Sequence, residues 1–72
     1  MEQGTRIEIQ VNGEARSAAR GTSVDAFVAE LGLRPEVVAI EVNDRLVRRD
    51  ERGRTMLSDG DRIEVVTLVG GG

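Results

Sequence analysis

The stretch DGDRIEVVTLVGGG, residues 59–72, decides the reading of this chain. Ser58-Asp59-Gly60-Asp61 has the composition of a tight turn, where aspartates bond nearby backbone and glycine takes positive φ. Residues 62–69 then run as strand formers. Ile63 and Val65 share one side of the alternation, and Glu64, Val66 and Leu68 share the other. The run passes straight into Gly70, Gly71 and Gly72. Glycine loses the most conformational freedom on ordering, so such a tail adds nothing to a fold. It provides a flexible arm without side chains, tipped with a carboxylate. Three residues reach roughly 10 Å at about 3.3–3.6 Å each, and they enter a slot too narrow for any side chain. The expected working group is therefore the terminal carboxylate of Gly72, carried on a scaffold of residues 1–69 with residues 70–72 as a flexible tail.

Upstream of that strand the hydrophobic pattern switches period twice. Ile7, Ile9 and Val11 alternate with Arg6, Glu8 and Gln10, which is the pattern of a half-buried strand. Asn12-Gly13 follows, a strong hairpin signal because both residues tolerate positive φ. Residues 14–19 are the return strand, with a weaker pattern. Thr22 is placed to cap a helix, with Asp25 three residues on as its capping-box partner near the positive end of the helix dipole. Val24, Phe27, Val28 and Leu31 then form one apolar stripe at helical spacing. Gly32 ends the helix in the left-handed conformation, with Leu33 folding back and Pro35 soon after. Residues 37–42 form another strand, Asn43-Asp44 a turn, and Leu46-Val47 a short edge strand. Residues 48–55, dense in both charges, read as a solvated loop. Met56 and Leu57 return to the core. One helix over one face of a mixed sheet is an α+β sandwich.

Composition narrows the chemistry. A chain of 72 residues is one small domain, and such domains bury only about 60% of their unfolded surface. Phe27 is the only aromatic residue, so the core is aliphatic and a deep catalytic pocket is hard to build. With no Cys and no His, thiol nucleophiles, imidazole bases, disulfides and the usual zinc ligands are gone. Asp59 and Asp61 lack the rest of a calcium loop and read as turn residues. No metal ligands are assigned. The net charge of −3, without a basic stripe, speaks against nucleic acid. No apolar stretch approaches the length of a membrane span, and residues 1–5 lack a signal pattern. A cytoplasmic location away from membranes is the default expectation. All ten basic residues are Arg, so the chain holds no lysine amine that an activated terminus of a sister molecule could acylate.

The order of these elements resembles the ubiquitin-like β-grasp fold, a mixed sheet of four to five strands with one helix on one face. The segments IEIQVNG (7–13), VAIEVNDRLV (38–47) and DGDRIEVVTLVGGG (59–72) carry the likeness. More narrowly, the last of them is similar to the ThiS-type sulfur-carrier family of thiamine biosynthesis. The resemblance implies parallel first and last strands at the centre of the sheet, with Ile7, Ile9, Ile63 and Val65 under the helix stripe. It also implies a mechanism. An E1-like adenylating enzyme of the ThiF type, using ATP and Mg²⁺, joins Gly72 to AMP. Sulfur displaces the AMP and leaves a thiocarboxylate, which donates its sulfur to a thiazole synthase of the ThiG type. Gly70 and Gly71 thread the partner's channel. The chain binds no cofactor, is a monomer when free, and carries an atom without being an enzyme.

On this reading Val66 and Leu68 lie on the open face beside the tail and form a docking patch, since exposed apolar patches often mark interfaces. Arg6, Glu41 and Arg62 would form its polar rim. The short chain, and Thr67-Leu68-Val69 without a preceding proline, favour the thiamine type. The alternatives are the small subunit of molybdopterin synthase, a carrier for cysteine synthesis and, in another class, a ubiquitin-like protein modifier.

Overall fold

A computed structural model of the chain describes residues 4–68. Five strands and one helix follow in the order β1 (Arg6–Val11), β2 (Glu14–Ala19), α1 (Val24–Glu30), β3 (Val38–Val42), β4 (Arg45–Val47) and β5 (Arg62–Thr67), with short 3-10 helices at Pro35–Val37 and Arg49–Arg54. The strands form one sheet in the order β2-β1-β5-β3-β4. The first and last strands run parallel near its middle, with Gln10 opposite Arg62 and Val11 opposite Ile63. The β1/β2, β3/β4 and β3/β5 pairs are antiparallel.

Two tight hairpins set the register. Asn12 and Gly13 (φ 51° and 85°) join β1 to β2, and Asn43 and Asp44 (φ 54° and 70°) join β3 to β4. Positive φ at both central residues is what a two-residue type I′ loop demands, because it matches the twist of the strands. Ile7, Ile9, Ile40 and Ile63 consequently face α1, where they meet Val24, Phe27 and Val28 in the buried core. Val11 and Val65 are half-buried and pack against that core. The helix ends as its sequence predicts. Gly32 has φ +74°, its N–H donates to Ala29 O, and Leu33 N–H donates to Val28 O. Those two bonds are the Schellman pair that satisfies otherwise orphaned carbonyls.

Four expectations are corrected. Ser23 caps the helix, not Thr22: Ser23 Oγ accepts from Ala26 N–H at 3.0 Å. Thr22 is buried, and its hydroxyl instead donates to Ala19 O at 2.7 Å, which removes Asp25 from a capping box. Residues 48–55 are mostly exposed as expected but are no plain loop, since Arg49–Arg54 form a 3-10 helix that buries one side chain. Arg52 is 3% exposed and reaches under the sheet end to donate to Pro35 O (3.0 Å) and Val38 O (2.8 Å). Met56 stays 51% exposed while Leu57 is buried, because the residue pair at the turn into the core can send only one side chain inward. The third strand begins at Val38, since Pro35 starts a 3-10 helix through Val37. No helix among the described residues is long and apolar enough to cross a membrane.

Candidate functional site: the open sheet face and the base of the tail

Three backbone N–H groups on the β5 side of the first hairpin arm hold the segment from Asp59 to Ile63. Glu8 N–H donates to Asp59 Oδ1 (2.8 Å), Gln10 N–H to Asp61 O (3.0 Å) and Asn12 N–H to Ile63 O (2.8 Å). Strand β1 then turns away at Gly13. The ladder is extended by a side chain: the Asn12 amide accepts from Val65 N–H (2.8 Å) and donates to Val65 O (3.2 Å). On the other side Leu68 N–H donates to Val37 O at 2.6 Å. The strand is thus tied on both sides through Val65 and on the β3 side through Leu68. The aspartates of the turn are spent on the same task. Asp61 accepts from Ser58 N–H (2.7 Å) and from the Asn43 side chain (2.9 Å), and Gly60 (φ 87°) donates to Glu8 O.

Strict alternation along β5 places Ile63 inward and Val66 outward, and Val66 and Leu68 are 53% and 50% exposed. Cross-strand pairing sets Ala39 beside Val66 and Glu41 beside Glu64. It also sets Leu46 beside Glu41. Leu46 is 62% exposed and enlarges the apolar surface. Sequence reading placed Leu46 only in an edge strand. The two-residue Asn43-Asp44 turn held the missing signal, because it fixes Leu46 opposite Glu41.

The polar rim differs from expectation. Arg6 donates to Ser17 Oγ (3.0 Å), and the parallel register puts it at the opposite end of the sheet from Val66. Arg62 lies on the open face but is paired with Asp44 at 3.1 Å. Glu41 remains in the patch. Gly70, Gly71 and Gly72 lie outside the described residues.

On the helix side of β5 a recess of about 420 Å³ is lined by residues that include Asn12, Glu14, Arg16, Leu31, Val65 and Thr67. Among the described residues its ionisable groups are Glu14 and Arg16, and the Arg16 guanidinium sits 5.8 Å from the centre of the Phe27 ring in a cation–π arrangement. Nothing there pairs a nucleophile with a base.

A five-strand mixed sheet of this order, with one helix across it, defines a ubiquitin-like β-grasp domain. Its open face carries exposed apolar side chains, Leu46, Val66 and Leu68, around the end of the central strand β5. Residues 9–72 match the model of the ThiS family, and the chain belongs to that family. It is 41% identical over 66 residues to a thiazole synthase of Magnetococcus marinus, a match that covers 92% of this chain. The chain spans about a fifth of the length of that relative, 20%. It is 27% identical to the sulfur carrier protein ThiS of Escherichia coli, covering 92% of this chain and 100% of that protein. The crystal structure of the thiamine biosynthesis protein ThiS from Geobacter metallireducens superposes with a TM-score of 0.80 at 28% identity, covering 92% of this chain and 100% of the other.

Proposed function

We propose that this chain is the sulfur carrier for thiamine thiazole synthesis and that Gly72 is the residue that carries the sulfur. The observation that carries this reading is the family match through residue 72, on a scaffold whose central strand leads into the glycines. An α-carboxylate, with a pKa of about 3.3–3.7, is ionised at neutral pH, and an anion resists nucleophilic attack. Activation by a partner removes that obstacle. The Gly72 carboxylate attacks the α-phosphorus of ATP, held with Mg²⁺ in an E1-like enzyme of the ThiF type, and pyrophosphate leaves. A sulfur nucleophile then attacks the acyl carbon of the adenylate, AMP leaves, and a thiocarboxylate remains. Gly70 and Gly71 let the backbone pass through the partner's channel and leave the carbonyl unhindered.

A thiazole synthase of the ThiG type receives the sulfur. The relative named thiazole synthase supports this choice, because a segment like this chain occurs within its longer sequence. The chain itself performs no catalysis, holds no cofactor, and works in the cytoplasm.

The test is reconstitution with the activating enzyme, ATP, a sulfur source and the synthase. Deleting Gly71 and Gly72 is expected to abolish thiazole formation and leave the melting temperature unchanged. Unchanged thiazole formation would refute the carrier role. Product with a molybdopterin synthase partner alone would reassign the pathway, and a ladder of conjugates in extracts would reassign the class.

A further inference from the structure

Glu41 and Glu64 face each other directly across β3 and β5 on the open face of the sheet. Like charges in that position repel and weaken the strand pair. Both residues are exposed. Neither carboxylate makes an ion pair or hydrogen bond among the described residues. The arginines nearby do not relieve them. Arg62, two residues before Glu64, is committed to Asp44. Arg45 lies opposite Val42, which puts it on the other face of the sheet. Around the carboxylates stand Leu46, Ala39, Val66 and Leu68, three of them large exposed hydrophobics. The apolar patch thus carries two facing carboxylates that no side chain pairs with among the described residues. Interface cores are depleted of charge, so such a pair is unfavourable under an apolar partner unless that partner brings the opposite charge.

We propose that the face formed by β3, β4 and β5 docks an apolar surface of the thiazole synthase that presents an arginine or lysine, whose cation settles between Glu41 and Glu64. This rests on the proposed function and specifies the contact that positions the tail. The match is one of charge complementarity. The repulsion that strains the free face is relieved on binding, so the charge contributes to the complex and nothing to the isolated fold. Arginine suits the site best, because its planar fork donates to two carboxylates at once. The position of the patch fits the role. Val66 lies near the end of β5 and Leu68 just past it, so a protein seated there is beside the point from which residue 69 continues.

The experiment measures the Kd of the full chain for purified thiazole synthase from the same organism, at low and high salt, by calorimetry. The variants are Glu41→Gln, Glu64→Gln and the double substitution. A second pair, Glu14→Gln with Glu30→Gln, changes the net charge equally on the helix side. The double variant at the patch is expected to bind at least about tenfold more weakly, the equivalent of 1.4 kcal/mol, with a flatter salt dependence. Its melting temperature should equal or exceed that of the wild type, which a merely structural role would not produce. The control pair should bind within about twofold of wild type, well below the tenfold change. Equal Kd values for the wild type and the patch variant would overturn the inference and leave the carrier role standing. Equal losses in the control pair would overturn it too, since net charge alone would then explain the effect. Failure of the wild type to bind the synthase would defeat the carrier reading and this inference together.

Discussion

Asn12 shows how one residue serves two structural demands. Its positive φ of 51° suits the hairpin, and its side-chain amide continues the ladder to Val65 after β1 has turned away. The first role was legible in the sequence, because Asn-Gly between strands is a turn signal. The second was not, because the residue that receives the bond lies 53 positions later. Asn12→Gly keeps the turn and removes the clasp. It is expected to lower stability by about 1 kcal/mol and to speed amide exchange at Val65 selectively. Uniform exchange across β5 would show that the clasp does not hold this strand. Arg52 was hidden for a related reason. All eight residues in 48–55 are polar, charged or glycine, so no periodicity distinguishes the one arginine that buries its guanidinium against two carbonyls.

At the scale of elements, strands read better than caps. Ile7 and Ile9 in β1, and Ile63 in β5, alternate with exposed residues, and the structure buries them as that period requires. The weak pattern of β2 has a physical cause. It is an edge strand whose buried contribution is Ala18 alone, while Arg16 covers Phe27 with a cation. The helix start was misplaced by one residue. Thr22 and Ser23 are both good caps in sequence, and only the tertiary bond from Leu57 N–H to Thr22 O, with the Thr22 hydroxyl turned to Ala19 O, decides between them. Ser23→Ala should therefore cost about 1 kcal/mol in chemical denaturation, whereas Asp25→Asn should cost less than half of that. The reverse order would restore the Thr22–Asp25 capping box.

For the whole molecule, the sheet order sets the strand from which residue 69 continues. Strand β5 is flanked by β1 on one side and β3 on the other. Its last backbone tie among the described residues is Leu68 N–H to Val37 O. The described chain thus ends on a strand that has neighbours on both sides. The last strand was legible from the run of strand formers before the glycines, and the outward facing of Val66 and Leu68 was legible from the alternation. The contribution of Leu46 and the facing of Glu41 and Glu64 came only from pairing across strands.

The most direct measurement is the intact mass of the chain after incubation with ATP, Mg²⁺, the activating enzyme and a sulfur donor, with fragmentation to locate the change. A gain of about 16 Da on Gly72, sulfur in place of one oxygen, is the expected result. An unchanged mass, or a native product that continues past Gly72 without trimming, would contradict the account.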